Sequence, residues 1–172
     1  MFAGLAKGFC FRPTGEMQFN THMQAALIEA RAAAKRDEVP VGAVIVNPQG
    51  AIVAQAGNRT RQDNDPTAHA EILAIREACR AVGSERLTGH ALYVTLEPCA
   101  MCAAAISAAR IERLYYGASD PKSGGVAQGA RVFSHAQCHH VPEVFDGIAA
   151  AESQALLTGF FTARRAPQQA KS

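Results

Sequence analysis

No stretch of this 172-residue chain approaches the roughly twenty consecutive apolar residues that a membrane-spanning helix needs. Nor is there an excess of either charge: 17 Lys and Arg against 15 Asp and Glu leave a formal net charge of +2. That excludes a broad basic field, so any contact with nucleic acid must come from a local patch. Cysteine is scarce and odd in number, at Cys10, Cys79, Cys99, Cys102 and Cys138, with one close pair. Such spacing argues against a disulfide framework and for a cytoplasmic chain with one metal-binding or redox pair. The opening MFAGLAKGFCFRPTGEMQFN has its apolar residues broken by Gly, Cys, Arg and Pro, and is not read as a signal peptide. Neither an internal repeat nor an interdomain linker is visible. The expected division is an N-terminal extension over 1–20, loosely ordered, one domain over 21–165, and a tail over 166–172.

What is present is an ordinary globular composition, 48% hydrophobic and 19% charged, over a length that suits one sizeable core. Residues 22–37 place Met23, Ala26, Leu27, Ala30 and Ala34 at helical spacing. VPVGAVIV (39–46) and AIVAQAG (51–57) read as strands of a hairpin turning at NPQG. A polar loop over 58–67 leads into a helix running to about Val82. ALYVTL (91–96) and RLYYGAS (113–119) are strands flanking a helix over 98–111. After a glycine-rich loop (120–129) come a weak strand around 139–145 and a last helix over 148–165. This order predicts an α/β protein, a three-layer α/β/α sandwich around a mixed five-stranded sheet.

Two short segments carry chemistry, HAE (69–71) and PCAMC (98–102). Cys99 and Cys102, three apart at a helix start, present both sulfurs on one face, where the helix dipole favours thiolates. Cys-x-x-Cys alone is ambiguous between metal binding and redox chemistry. His69, also at a helix start after a strand and loop, would meet the cysteines at one sheet edge, where α/β proteins bind ligands. One imidazole and two thiolates on Zn²⁺ leave a fourth position open, the arrangement of catalytic sites, and lower the pKa of water there toward ~7. A carboxylate beside the metal, but not on it, can then carry protons, which gives Glu71 a role. An ideal helix would turn His69 and Glu71 nearly opposite ways. The reading therefore requires α-helix to begin at about His69, with the ligand outside helical geometry.

With these segments the sequence resembles the zinc-dependent cytidine/deoxycytidylate deaminase superfamily, whose motif is His-x-Glu…Pro-Cys-x-x-Cys. EVPVGAVIV, GNR, DPTAHAEILAIR, LYVTLEPCAMCAAAI, RIERLYYGASDPKSG and LLTGFFTARR resemble, in order over about 20–165, the branch that deaminates adenosine in tRNA. The resemblance implies a cytidine-deaminase-like fold, one zinc per subunit on His69, Cys99 and Cys102, and Glu71 as proton shuttle. It also implies base or sugar contacts at Asn58, at the backbone of Ala70, at Asp120, and at His139, where the family has an asparagine. Phe160, Phe161, Arg164 and Arg165 would lie near RNA. The implied partners are a tRNA anticodon stem-loop and a second copy of the chain in a homodimer. The implied reaction is hydrolysis of adenosine to inosine at the wobble position; a free guanine, cytosine or dCMP deaminase would use the same zinc chemistry. Ser119 stands where the family often has arginine, removing one phosphate contact. HAQCHH (135–140) is rejected as a second metal site, because adjacent His139 and His140 would point oppositely on a strand. His22 and His90 are read as surface residues.

Overall fold

The structure, a computed structural model, describes residues 15–165, and their side chains from Thr21 onward. The elements run α1 (Gly15–Lys35), β1 (Gly42–Val46), β2 (Ile52–Gly57), α2 (Ala70–Val82), β3 (Ala91–Leu96), α3 (Ala100–Ala108), β4 (Arg113–Ala118), a single 3₁₀ turn (Val132–Ser134), β5 (Glu143–Phe145) and α4 (Ala150–Arg165). The five strands form one sheet in the order β2-β1-β3-β4-β5. β1 is antiparallel to both β2 and β3, while β3, β4 and β5 are parallel. This is the expected mixed sheet.

Strands covered on both faces read as near-continuous apolar runs, and β1 is buried at all five positions. Alternation splits them between two cores. Ala43, Ile45, Leu92, Val94 and Leu114 pack with α2 residues such as Ala74 and α3 residues such as Ile106. Val44, Val46, Tyr93 and Tyr115 pack with Met23 and Leu27 of α1. On that second face Tyr93 stacks on Tyr115 at 4.4 Å and Tyr115 on Phe145 at 4.7 Å, a ladder of rings across β3, β4 and β5. Gly42 lets α1 lie on the sheet, because a Cβ there would stand 2.0 Å from the carbonyl oxygen of Ala26. The β1–β2 turn is held by Asn47, whose Oδ1 accepts the N–H groups of Gln49 and Ala51.

Some expectations need correction. His22 and His90 are not surface residues; each is 8% exposed. His22 lies four residues before Ala26, in the row that α1 turns inward, and its ring packs against Tyr93 with centroids 5.0 Å apart. His90, just before β3, bonds through Nδ1 to the Thr88 carbonyl. Helix α1 begins at Gly15, seven residues before the expected start. β5 spans only three residues, because it pairs with β4 over Arg113–Tyr115 alone. Of the extension expected to be loose over 1–20, residues 15–20 are part of α1, while 1–14 and the tail over 166–172 lie outside the described residues.

The pairing directions converge on one sheet edge. Gly57 stands opposite Gly42, and Ala43 opposite Val94. The exit of β2, the entry to β1, and the exits of β3 and β4 therefore share that edge, together with the starts of α2 and α3.

Candidate active site

His69 is the N-cap of α2, with extended backbone (φ −72°, ψ 150°), and Cys99 is the N-cap of α3 in a similar conformation (φ −69°, ψ 173°). Helix therefore begins one residue after each, and neither side chain is bound by helical geometry. Asp65 does not cap the helix; its carboxylate accepts the N–H and hydroxyl of Thr67 in the turn before it. The Nδ1 of His69 lies 3.7 Å from Cys99 Sγ and 3.5 Å from Cys102 Sγ. The three donor atoms fall within 4.8 Å of one another. Tetrahedral zinc, with bonds of about 2.0–2.1 Å to nitrogen and 2.3 Å to sulfur, sets nitrogen and sulfur roughly 3.6 Å apart. The donor set fits that ion in kind and in spacing, with His69 offering Nδ1.

The three donors are close enough to shift one another strongly. Cys102 and His69 hydrogen-bond to Cys99 and hold its thiol down to about 4, against burial. The same bond from Cys99 and burial push Cys102 up. His69 is raised by its bond to Cys99 and by the charges of Glu71 and Cys99. Both helix N-termini point at the cluster, where their partial positive charge favours thiolates. Glu71, the second residue of α2, is 4% exposed and lies beside the cluster without joining it. Burial pushes its carboxyl above the usual range, partly offset by its own backbone N–H and by His69. A carboxyl shifted toward neutrality is suited to giving and taking protons.

These groups open on a cavity of about 190 Å³ lined by Asn58, His69, Glu71, Cys99, Asp120 and Ser123, among others. Three protein donors beside a cavity would leave a tetrahedral ion one position free for water, as in hydrolytic rather than structural zinc centres. Asn58 is 7% exposed and its Oδ1 accepts the N–H of Ala70 at 2.8 Å, leaving its amide NH₂ as donor. Ala70 is thus present as a buried strut whose N–H is already taken. Asp120 lines the cavity while its Oδ1 accepts the N–H groups of Lys122 and Ser123. A wider groove of about 520 Å³ adjoins, sharing Val39, Leu96, Asp120 and Ser123 and bounded by Lys122, Phe161 and Arg165.

Other expected contacts lie elsewhere. His139 does not reach this cavity; it borders a separate one behind α3, with Ser107 and Cys138, and its carbonyl accepts from Arg110. Arg164 is tied to Asp37 and lies over the Phe160 ring at 4.8 Å, so this pair is engaged within the protein. Among the described residues, His69, Cys99 and Cys102 are the only such group of three or more that could hold an ion. The HAQCHH segment is used otherwise: Cys138 donates to the His140 carbonyl, and the His140 ring bonds to the Ile111 carbonyl.

Two residues escaped the sequence reading. Glu38 is fully buried and accepts the Thr60 hydroxyl and the N–H groups of Arg61 and Gln62. Glu97 is 2% exposed and gathers donors from the loop after β4. Burial raises Glu97, but the N–H groups of Gln128 and Asp120, the Ser119 hydroxyl and the Ala127 N–H outweigh it and hold the carboxyl below its usual range. The available signal was a charge set in each apolar run, DEVPV and VTLEPC, since glutamate is almost never fully buried without partners.

Residues 17–118 match the family model for the cytidine and deoxycytidylate deaminase zinc-binding region. The tRNA-specific adenosine deaminase of Agrobacterium fabrum is 60% identical over 150 residues, covering 87% of this chain and 98% of that one. A solved structure from a study of A-to-I editing by tRNA:A34 deaminases at the wobble position is similar at 61% identity and TM-score 0.78, covering 80% of this chain and 99% of that one. A guanine deaminase from Nitrosomonas europaea matches at TM-score 0.72 and 21% identity over 83% of this chain and 84% of that one, which shows the fold alone. The chain belongs to the zinc-binding cytidine and deoxycytidylate deaminase family, in the group of the tRNA-specific adenosine deaminases.

Proposed function

We propose that this protein hydrolyses adenosine to inosine at the wobble position of a tRNA anticodon, with the splayed-out base in the cavity and the RNA backbone along the adjoining groove. The observation that carries the reading is the pairing of those two spaces. The inner cavity, about 190 Å³, is below the roughly 300–1,000 Å³ of a site that encloses a whole small molecule. It suits a base alone, and the open groove beside it carries Lys122, Phe161 and Arg165, the side chains that grip single-stranded RNA by charge and stacking. The high identity to tRNA-specific relatives supports the same choice over a free-base deaminase.

His69, Cys99 and Cys102 would hold the zinc, which supplies the Lewis acidity that makes water nucleophilic near neutral pH. Glu71 accepts a proton from the attacking water and passes it to N1 of the base. As the C6–N bond breaks, Glu71 carries the hydroxyl proton to the departing amino group, which leaves as ammonia. Asn58 donates its NH₂ to the base, and Asp120 faces the sugar end. The apolar walls of buried Val41 and half-buried Val39 and Leu96 limit other water. The same reading places the enzyme in the cytoplasm and as a homodimer; the outward, small-residue face of α3, with Ala104 and Ala108, supports close packing of a second copy.

The test is incubation with an anticodon stem-loop bearing a wobble adenosine, beside free guanine, cytosine and dCMP. Inosine is expected from the RNA alone. Ammonia from a free base, with none from the RNA, would overturn the reading.

A further inference from the structure

Glu97 connects the end of β3 to the Pro98–Cys99 turn, and its carboxylate is enclosed by donors from one loop. Its Oε2 accepts the Ser119 hydroxyl and the Asp120 N–H, both at 3.0 Å. Its Oε1 accepts the N–H groups of Val126 at 3.2 Å, and of Ala127 and Gln128 at 2.9 Å. The donors come from both ends of the loop, so one side chain closes it. A carboxylate is the one group of this size that can accept at both ends at once; a glutamine would turn an NH₂ toward N–H donors. Bonds to an ionised acceptor are also the strong ones.

The loop so gathered rests on the metal-ligand turn. The Gly125 N–H bonds to the Pro98 carbonyl at 2.8 Å, and Gly124 forms an isolated β-bridge with Cys99. Gly124 has no room for a side chain, since a Cβ would lie 2.6 Å from Glu97 Oε1. Its N–H in turn bonds to the Asp120 carbonyl at 3.0 Å. Asp120 and Ser123 are the parts of the loop that line the cavity.

We infer that Glu97 is a positioning residue for substrate: it fixes the 119–128 loop against the Cys99 turn and thereby sets where Asp120 stands in the cavity wall. This rests on the reading above that Asp120 faces the nucleotide. Glu97 also borders the cavity, but both its carboxylate oxygens are taken up by the loop, so its loss should weaken the hold on substrate more than the chemistry.

The experiment compares Glu97→Gln, Asp120→Asn and the double variant, with zinc content, kcat and KM on the wobble-adenosine stem-loop, and amide hydrogen exchange across 119–129. The expected result for Glu97→Gln is unchanged zinc stoichiometry, faster exchange at Val126, Ala127 and Gln128, and a KM raised about tenfold, with kcat altered less than about threefold. The KM effects of Glu97→Gln and Asp120→Asn should not add, because one acts through the other. Additive KM effects, or amides that stay protected, would overturn the assignment. Ser119→Ala removes a single donor and keeps the test open if Glu97→Gln does not fold; its expected KM rise is about two- to threefold, and an unchanged KM would count against the inference. Wild-type protein inactive on the RNA would instead sink the substrate reading, while the exchange data still decide the loop.

Discussion

Replacing Glu71 with glutamine keeps the side-chain volume and removes only the ability to carry a proton. Positioned acid–base groups contribute about 10²- to 10⁴-fold, or roughly 3–5 kcal/mol of barrier. Glu71 is 4% exposed, so bulk water has little access to take over its task, and the loss should lie toward the upper end. The same substitution should stabilise the protein. Burial raises the Glu71 carboxyl above its ordinary 4.5 in the folded state. A raised folded value means that the stability from this group is fully present below about pH 4.5 and is lost as pH rises through the folded value. At pH 7 the wild type carries that penalty and Glu71→Gln does not. Chelator-treated variant should therefore melt above chelator-treated wild type at pH 7, and the gap should close near pH 4. Single-turnover inosine formation, zinc content and calorimetry at the two pH values measure all three quantities. A variant within about tenfold of wild-type turnover, or one melting lower at pH 7, would refute the reasoning.

Cys99→Ala should lose both zinc and activity, measured by metal analysis and inosine formation; an active, metal-free variant would end the zinc reading. Glu38→Ala leaves a hydroxyl and two backbone N–H groups without their acceptor, and should cost about 2–4 kcal/mol in urea unfolding, with a smaller figure if the exposed part of the loop rehydrates. Arg165→Ala should flatten the salt dependence of stem-loop binding by about 0.7 in the log–log slope. Arg164→Ala should flatten it less, because Asp37 already holds that guanidinium; equal effects would show that the ion pair opens for RNA.

The parts of this fold that were legible are those where local pattern and tertiary demand agree. β3 falls on ALYVTL, residues 91–96, as expected, because a strand buried on both faces shows itself as an apolar run. The start of α2 was legible for a chemical reason: His69 and Glu71 could serve one site only if helix began between them, and it begins at Ala70. What escaped depends on partners distant in sequence. Glu97 reads as one more charge until the loop 22 to 31 residues later folds back on it. The resemblance implies a base contact at His139, but the chain there runs behind α3. His22 was misjudged by residue type when its spacing to Ala26 already pointed inward.

The stacked rings on the α1 face bear on how this enzyme can be watched. The chain has no tryptophan and three tyrosines, all buried on β3 and β4. Its intrinsic ultraviolet emission therefore originates in the sheet and is silent about the mouth of the cavity. Tyrosine fluorescence becomes a reporter of unfolding that bound RNA should leave nearly untouched. An indole introduced at Phe161, 40% exposed beside the groove, would be the only one in the molecule. Substrate arrival and loss of structure could then be followed at separate wavelengths in the same sample.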